Sequence, residues 1–143
     1  MRAAALLWAA LGAPVLLGAE APARSTSDQP PRKVIVGTVV RGFWGTYPGL
    51  DKRLEELTGL IDRLAAQARE KYGRGLDLAV LPEVAVTGGI YGDLLKNSAP
   101  LEGAVQNAFA RKAREHLCYV VAPMFLLEDR EKRRCFNVGI LFG

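Results

Sequence analysis

The feature that most constrains the fold is a long amphipathic helix pattern set between two short apolar runs. From Leu50 the apolar residues fall at Leu54, Leu57, Ile61, Leu64, Ala68 and Tyr72, at spacings of four, three, four, three, four and four, with charges between them. Those spacings put one apolar stripe on one helix face. Before it, Val34, Ile35, Val36, Thr38, Val39 and Val40 form a nearly continuous β-branched run, the pattern of a strand buried on both faces. After it, Gly73 and Gly75 supply a helix stop, and Leu76–Leu81, LDLAVL, is a second short strand that Pro82 ends. Strand, helix, strand in this order predicts parallel strands joined by a right-handed crossover, and hence an α/β layer structure.

A second helix is predicted downstream, with Leu101, Ala104, Val105, Ala108, Phe109, Ala113 and Leu117 on one face. Gly88–Gly92 and Asn97–Pro100 read as loop. Tyr119–Leu127 and Phe136–Phe142 are apolar runs joined by a charged stretch, and read as a long-looped hairpin or as two sequential strands. In the hairpin reading Cys118 sits at the open end and Cys135 near the tip, more than about 20 Å apart, which is too far for a disulfide. If the two strands ran parallel, the cysteines would start neighbouring strands and could approach.

With 143 residues, 50% of them hydrophobic and 24% charged, the chain has ordinary globular composition and is of single-domain size. Met1 to Ala23 reads as a secretory signal: Arg2, an apolar stretch from Ala3 to Leu17 broken by Gly12 and Pro14, then small residues at Ala19, Ala21 and Ala23. The apolar stretch is shorter than the roughly 18 to 20 residues of a membrane span, so export and release to a secreted or periplasmic location are expected, with no lasting membrane anchor. Residues 24–32 are polar and proline-containing, a flexible tether, and the domain is expected to occupy residues 33–143. The net charge of +4 includes a cluster at Arg130, Lys132, Arg133 and Arg134, but acidic residues intervene and only Phe136 could stack, so no nucleic-acid partner is expected.

The segment that carries chemistry is Leu76 to Gly89, LDLAVLPEVAVTGG, because it delivers Glu83 from the C-terminal end of a parallel strand, where open α/β sheets bind ligands. Leu81, Pro82, Val84, Ala85 and Val86 around it predict poor solvation and a better proton acceptor. The plainer alternative is a glutamate leaving a strand into water. Phe43 and Trp44 leave the first strand at the same sheet edge and either line a pocket or pack in the core. Thr87 to Gly92, TGGIYG, lacks the spacing of a phosphate-binding loop. His116 is expected to be an ordinary residue at a helix C-terminus, Lys96, Lys112 and Lys132 to be surface lysines, and both cysteines to be structural thiols. No cofactor or metal is expected.

A glutamate after a hydrophobic strand and a proline, with Thr87 and Gly88 shortly following, resembles the first signature of the nitrilase or carbon-nitrogen hydrolase superfamily. The likeness extends to the opening strand at Lys33–Val40, the helix at Leu50–Tyr72, the helix and strand in PLEGAVQNAFARKAREHLCYVVAP, and the strand FNVGILFG with its aromatic-asparagine pair. The resemblance implies the N-terminal half of an α/β/β/α sandwich, cut after the fourth predicted strand. It also implies a glutamate-lysine-cysteine site in which the glutamate takes the thiol proton, the thiolate attacks an amide or nitrile carbon, and the lysine stabilises the developing charge. Glu83 is the general base of that set, and the lysine and cysteine are expected beyond Gly143, so this chain alone is expected to be inactive. Tyr91 stands two residues after the position where the family often carries an aromatic, and is a candidate pocket residue. A small amide, carbamoyl compound or nitrile is the implied substrate, and pairing into homodimers or larger homo-oligomers is expected. The alternatives are an acyl-transferring member of the superfamily and a non-catalytic exported α/β binding module.

Overall fold

The structure, a computed structural model, describes residues 31–43, 45–88 and 94–143. The expected signal segment, most of the tether, Trp44, Tyr91 and the rest of 89–93 lie outside the described residues. The described elements all belong to one compact unit, Arg32–Gly143.

The β-branched run yields a three-residue strand, β1 (Val36–Thr38), followed by α1 (Leu50–Tyr72) and β2 (Leu78–Val80). Helix α1 ends where Gly73 takes φ 69°, a left-handed conformation open to glycine at little cost, and its N–H bonds the Arg69 carbonyl at 2.9 Å. Strands β1 and β2 pair in parallel as predicted, with Gly37 opposite Ala79. Asp77 ties them below that register: its Oδ2 accepts the Ile35 N–H at 2.7 Å.

After a short helix α2 (Leu94–Asn97), of which the sequence reading places only Asn97, as loop, Ala99 bridges to Leu126, and α3 (Ala104–His116) makes the second crossover. Leu117, expected on the buried face of α3, is instead an exposed left-handed cap at φ 51°. The chain reverses there to enter β3 (Tyr119–Asp129), and Cys118 N–H bonds the Ala113 carbonyl. Strand β3 runs parallel to β2 and then turns back as β4 (Arg134–Phe142), so the hairpin reading holds and the sheet order is β1-β2-β3-β4.

Both long helices cover the same face of this sheet. Leu57 and Ile61 of α1 and Val105 and Phe109 of α3 pack against Ala79, Val120, Ala122, Met124 and Phe142. Each large side chain so buried contributes on the order of 1.5–3 kcal/mol. On the opposite face Val36 is 49% exposed, Tyr119 57% and Leu141 62%. The expectation that the first strand is buried on both faces is therefore corrected: α1 covers one side of β1, and no described element covers the other.

Candidate active site

Strand β2 ends as the sequence predicts. The Leu81 N–H still bonds the Val121 carbonyl at 3.0 Å, but Pro82 has no N–H to continue the ladder. The chain then turns through Glu83–Thr87, closed by Ala85 N–H to the Pro82 carbonyl at 3.2 Å and Thr87 N–H to the Val84 carbonyl at 3.1 Å. Val84 takes φ 47°, an unusual conformation for a β-branched residue.

The turn explains the residues that follow the glutamate. Thr87 is fully buried, and its Oγ1 accepts the Phe125 N–H of β3 at 2.8 Å. At Gly88 a Cβ would lie 2.6 Å from the Val84 carbonyl oxygen, so only glycine fits without moving the backbone. Ala85, Val86, Thr87 and Gly88 turn inward, and Glu83 stays outside. Its carboxylate is exposed rather than enclosed by its apolar neighbours, which corrects the expectation of poor solvation. Its partner is Asn137 of β4, whose Nδ2 lies 3.5 Å from Oε1, at the long limit of a hydrogen bond.

Two side chains, one from the segment between β1 and α1 and one from the first turn of α1, reach the same turn. Arg53, only 4% exposed, donates from Nη1 to the Ala85 carbonyl at 3.2 Å, and Tyr47 donates from its hydroxyl to the Val86 carbonyl at 3.3 Å. The Arg53 guanidinium lies 4.2 Å from the Phe43 ring centroid and 5.7 Å from that of Tyr47. Burial pulls the Arg53 guanidinium below its ordinary value and pushes the Tyr47 phenol up. Arg53 remains a cation throughout the accessible range.

Phe43, the candidate for pocket or core, does both: it packs against the core and lines an open cleft of about 510 Å³ with Arg41, Thr46, Pro48, Arg53 and Glu56. Glu83 does not line that cleft.

The remaining reactive groups lie elsewhere. Cys118 precedes β3 at the end of the sheet opposite Glu83, beside Asp77, and burial pushes its thiol up, away from the reactive thiolate. Cys135 of β4 pairs with Leu127 of β3, nine residues beyond Cys118, so about 30 Å of strand separates two free thiols. Lys112 departs from the expectation of a surface lysine, whereas His116 ends α3 as expected but also has side-chain partners. Lys112 is only 6% exposed, with its ammonium 2.7 Å from Asp62 of α1 and 2.9 Å from Glu115. His116 joins the same group through Nε2, 2.7 Å from Asp62, and Arg69 approaches its Nδ1 at 3.4 Å. Asp62, Glu115 and His116 come close enough to suggest a cation site, but the Lys112 ammonium already fills that role.

No protein-family model matches the sequence, and no curated protein does. Among solved structures the chain is similar to a CN-hydrolase superfamily protein from Xanthomonas campestris, whose crystal structure carries an arsenic adduct in the active site. The identity is 15% and the TM-score 0.52, over 76% of this chain and 34% of that one. The chain thus spans about a third of the length of that protein. A likeness at this identity is one of fold: the chain is a mixed α/β unit, a four-stranded sheet with its two long helices on one face, similar to part of a CN-hydrolase superfamily structure.

Proposed function

We propose that the chain supplies the general-base portion of an exported amidase- or nitrilase-type carbon-nitrogen hydrolase, with Glu83 as the base. The observation that carries this reading is the place of Glu83: it leaves the C-terminal end of a parallel strand on a turn pinned from three sides. Open α/β sheets bind ligands at such strand ends, and a carboxylate held there can take a proton from an attacking nucleophile. In the proposed reaction Glu83 removes the proton of a thiol, and the sulfur bonds to the carbon of a small linear amide, carbamoyl compound or nitrile. A lysine ammonium balances the charge on the tetrahedral state. For an amide, Glu83 returns the proton to the departing nitrogen, leaving a thioester that water cleaves. Neither Cys118 nor Cys135 is the proposed nucleophile, and no lysine of this chain is assigned the third role.

The rival is an exported binding module without thiol chemistry. The observation in its favour is that the cleft beside Phe43 excludes Glu83. Pairing of copies through their helices is part of the proposal only as the family resemblance implies it.

The coding sequence beyond Gly143 tests the proposal first, by whether it encodes a lysine after a glycine-containing turn and a cysteine after another apolar strand. The polypeptide that includes them should release ammonia from propionamide or a comparable small amide. Glu83→Gln should slow that release by about a hundredfold or more. Absence of both residues, or turnover indifferent to Glu83→Gln, would count for the binding module.

A further inference from the structure

The turn after Glu83 buries two backbone carbonyls, those of Ala85 and Val86, whose own residues are fully buried. A carbonyl buried without a partner loses its hydration and gains nothing in return, so each needs a donor. Among the described residues the donors are side chains from outside the turn: Arg53 for Ala85 and Tyr47 for Val86. Both come from the stretch that joins the end of β1 to the first turns of α1. They therefore bind the chain that follows one parallel strand to the turn that follows the next, the turn from which Glu83 emerges.

Arg53 is itself held. Its guanidinium lies over Phe43, its Nε stands 3.5 Å from a Glu56 carboxylate oxygen without a hydrogen bond, and its N–H closes the first helical turn on the Gly49 carbonyl at 3.1 Å. The fixed guanidinium meets a turn that would not hold its shape alone, because the residue next to Glu83 is Val84 at φ 47°. A β-branched residue stays in that region only where its surroundings over-determine it. Relaxation of Val84 would swing Glu83 directly, since the two share a peptide plane.

We propose that Arg53 and Tyr47 are positioning residues for Glu83: by gripping the carbonyls of Ala85 and Val86 they hold the turn that aims its carboxylate. The inference rests on the reading of Glu83 as the base for its catalytic meaning, while the grip itself is a matter of geometry.

Nuclear magnetic resonance of the full 143-residue chain tests it without an activity assay. The variants are Arg53→Met, Arg53→Lys and Tyr47→Phe, and the Glu83 carboxyl resonance is assigned by its loss in Glu83→Gln. Arg53→Met should speed amide exchange at Ala85 and Thr87 about tenfold or more relative to Met124 in β3, and should broaden or displace the Glu83 resonances. Arg53→Lys, which keeps the charge and one donor, should return both readouts toward wild type. Tyr47→Phe removes a single oxygen and should show the same local pattern more weakly, which keeps the test decisive if Arg53→Met does not fold. Uniform acceleration across β3 and the turn, with no rescue by lysine, would overturn the proposal and leave Arg53 a general stabiliser. Unmoved Glu83 resonances in both Arg53→Met and Tyr47→Phe would overturn it too. Failure of the general-base reading would appear separately, as turnover indifferent to Glu83→Gln.

Discussion

At the scale of single residues, the positions around Glu83 are explained by backbone geometry more than by contact with solvent. Thr87→Val should leave the Phe125 N–H without its acceptor and destabilise the domain by about 1–3 kcal/mol, whereas Thr87→Ser should recover most of the loss, as read by urea denaturation. Thr87, Gly88 and Glu83 were legible in the sequence because the strand, the proline and the turn are local features. The exposure of Glu83 was not legible, since it depends on which way the turn rolls its apolar neighbours. Arg53 and Lys112 were missed for a different reason. Each is a cation set on an apolar stripe, Arg53 three residues after Leu50 and four before Leu57, Lys112 three after Phe109. That spacing was the available signal for a buried, partnered charge, because residues three and four apart share a helix face.

At the scale of elements, α1 and α3 are joined by charge as well as by apolar packing. Burial works against the charge of Asp62, but hydrogen bonds from Lys112 and His116 outweigh it and hold the carboxyl below its ordinary value. Burial likewise opposes the Lys112 charge, and hydrogen bonds to Asp62 and Glu115 outweigh it and raise the ammonium above its own. The Asp62 contribution is therefore present above the unfolded carboxylate value of about 3.9 and is lost as pH falls through the lower folded value. The Lys112 contribution is present below about 10.4 and is lost as pH rises through the higher folded value. Stability measured by urea midpoint should be flat between about pH 5 and 8 and fall on both sides, the raised Cys118 thiol adding to the alkaline fall. In Lys112→Met the alkaline fall should shrink, and the acid fall should persist in part through Asp77, which a backbone hydrogen bond from Ile35 holds below its ordinary value. The hairpin carries its own prediction: thiol labelling of the denatured, unreduced protein should find both Cys118 and Cys135 reactive, since β3 and β4 hold them apart. The two apolar runs around a charged tip gave the hairpin as one of two readings, and the antiparallel register of β3 and β4 decides for it. The bounds of β1 were not, because a run of β-branched residues does not say how much of it finds a partner strand.

At the scale of the whole molecule, the periodicity of α1 and the order of the elements gave the parallel pairing of β1 and β2, and the resemblance gave the α/β fold that the structural likeness bears out. What periodicity could not give is which sheet face the helices choose. They share one, so Val36, Tyr119 and Leu141 form an open apolar face. The proposed role of Glu83 is to activate a nucleophile other than Cys118 or Cys135. Mass spectrometry of the polypeptide extended beyond Gly143, after mixing with a slowly hydrolysed amide, measures that most directly. If Glu83 has that role, an acyl adduct forms on a cysteine downstream of Gly143, about a hundredfold or more slowly in Glu83→Gln. An adduct on Cys118 or Cys135, or one that forms equally fast without the Glu83 carboxylate, would contradict it.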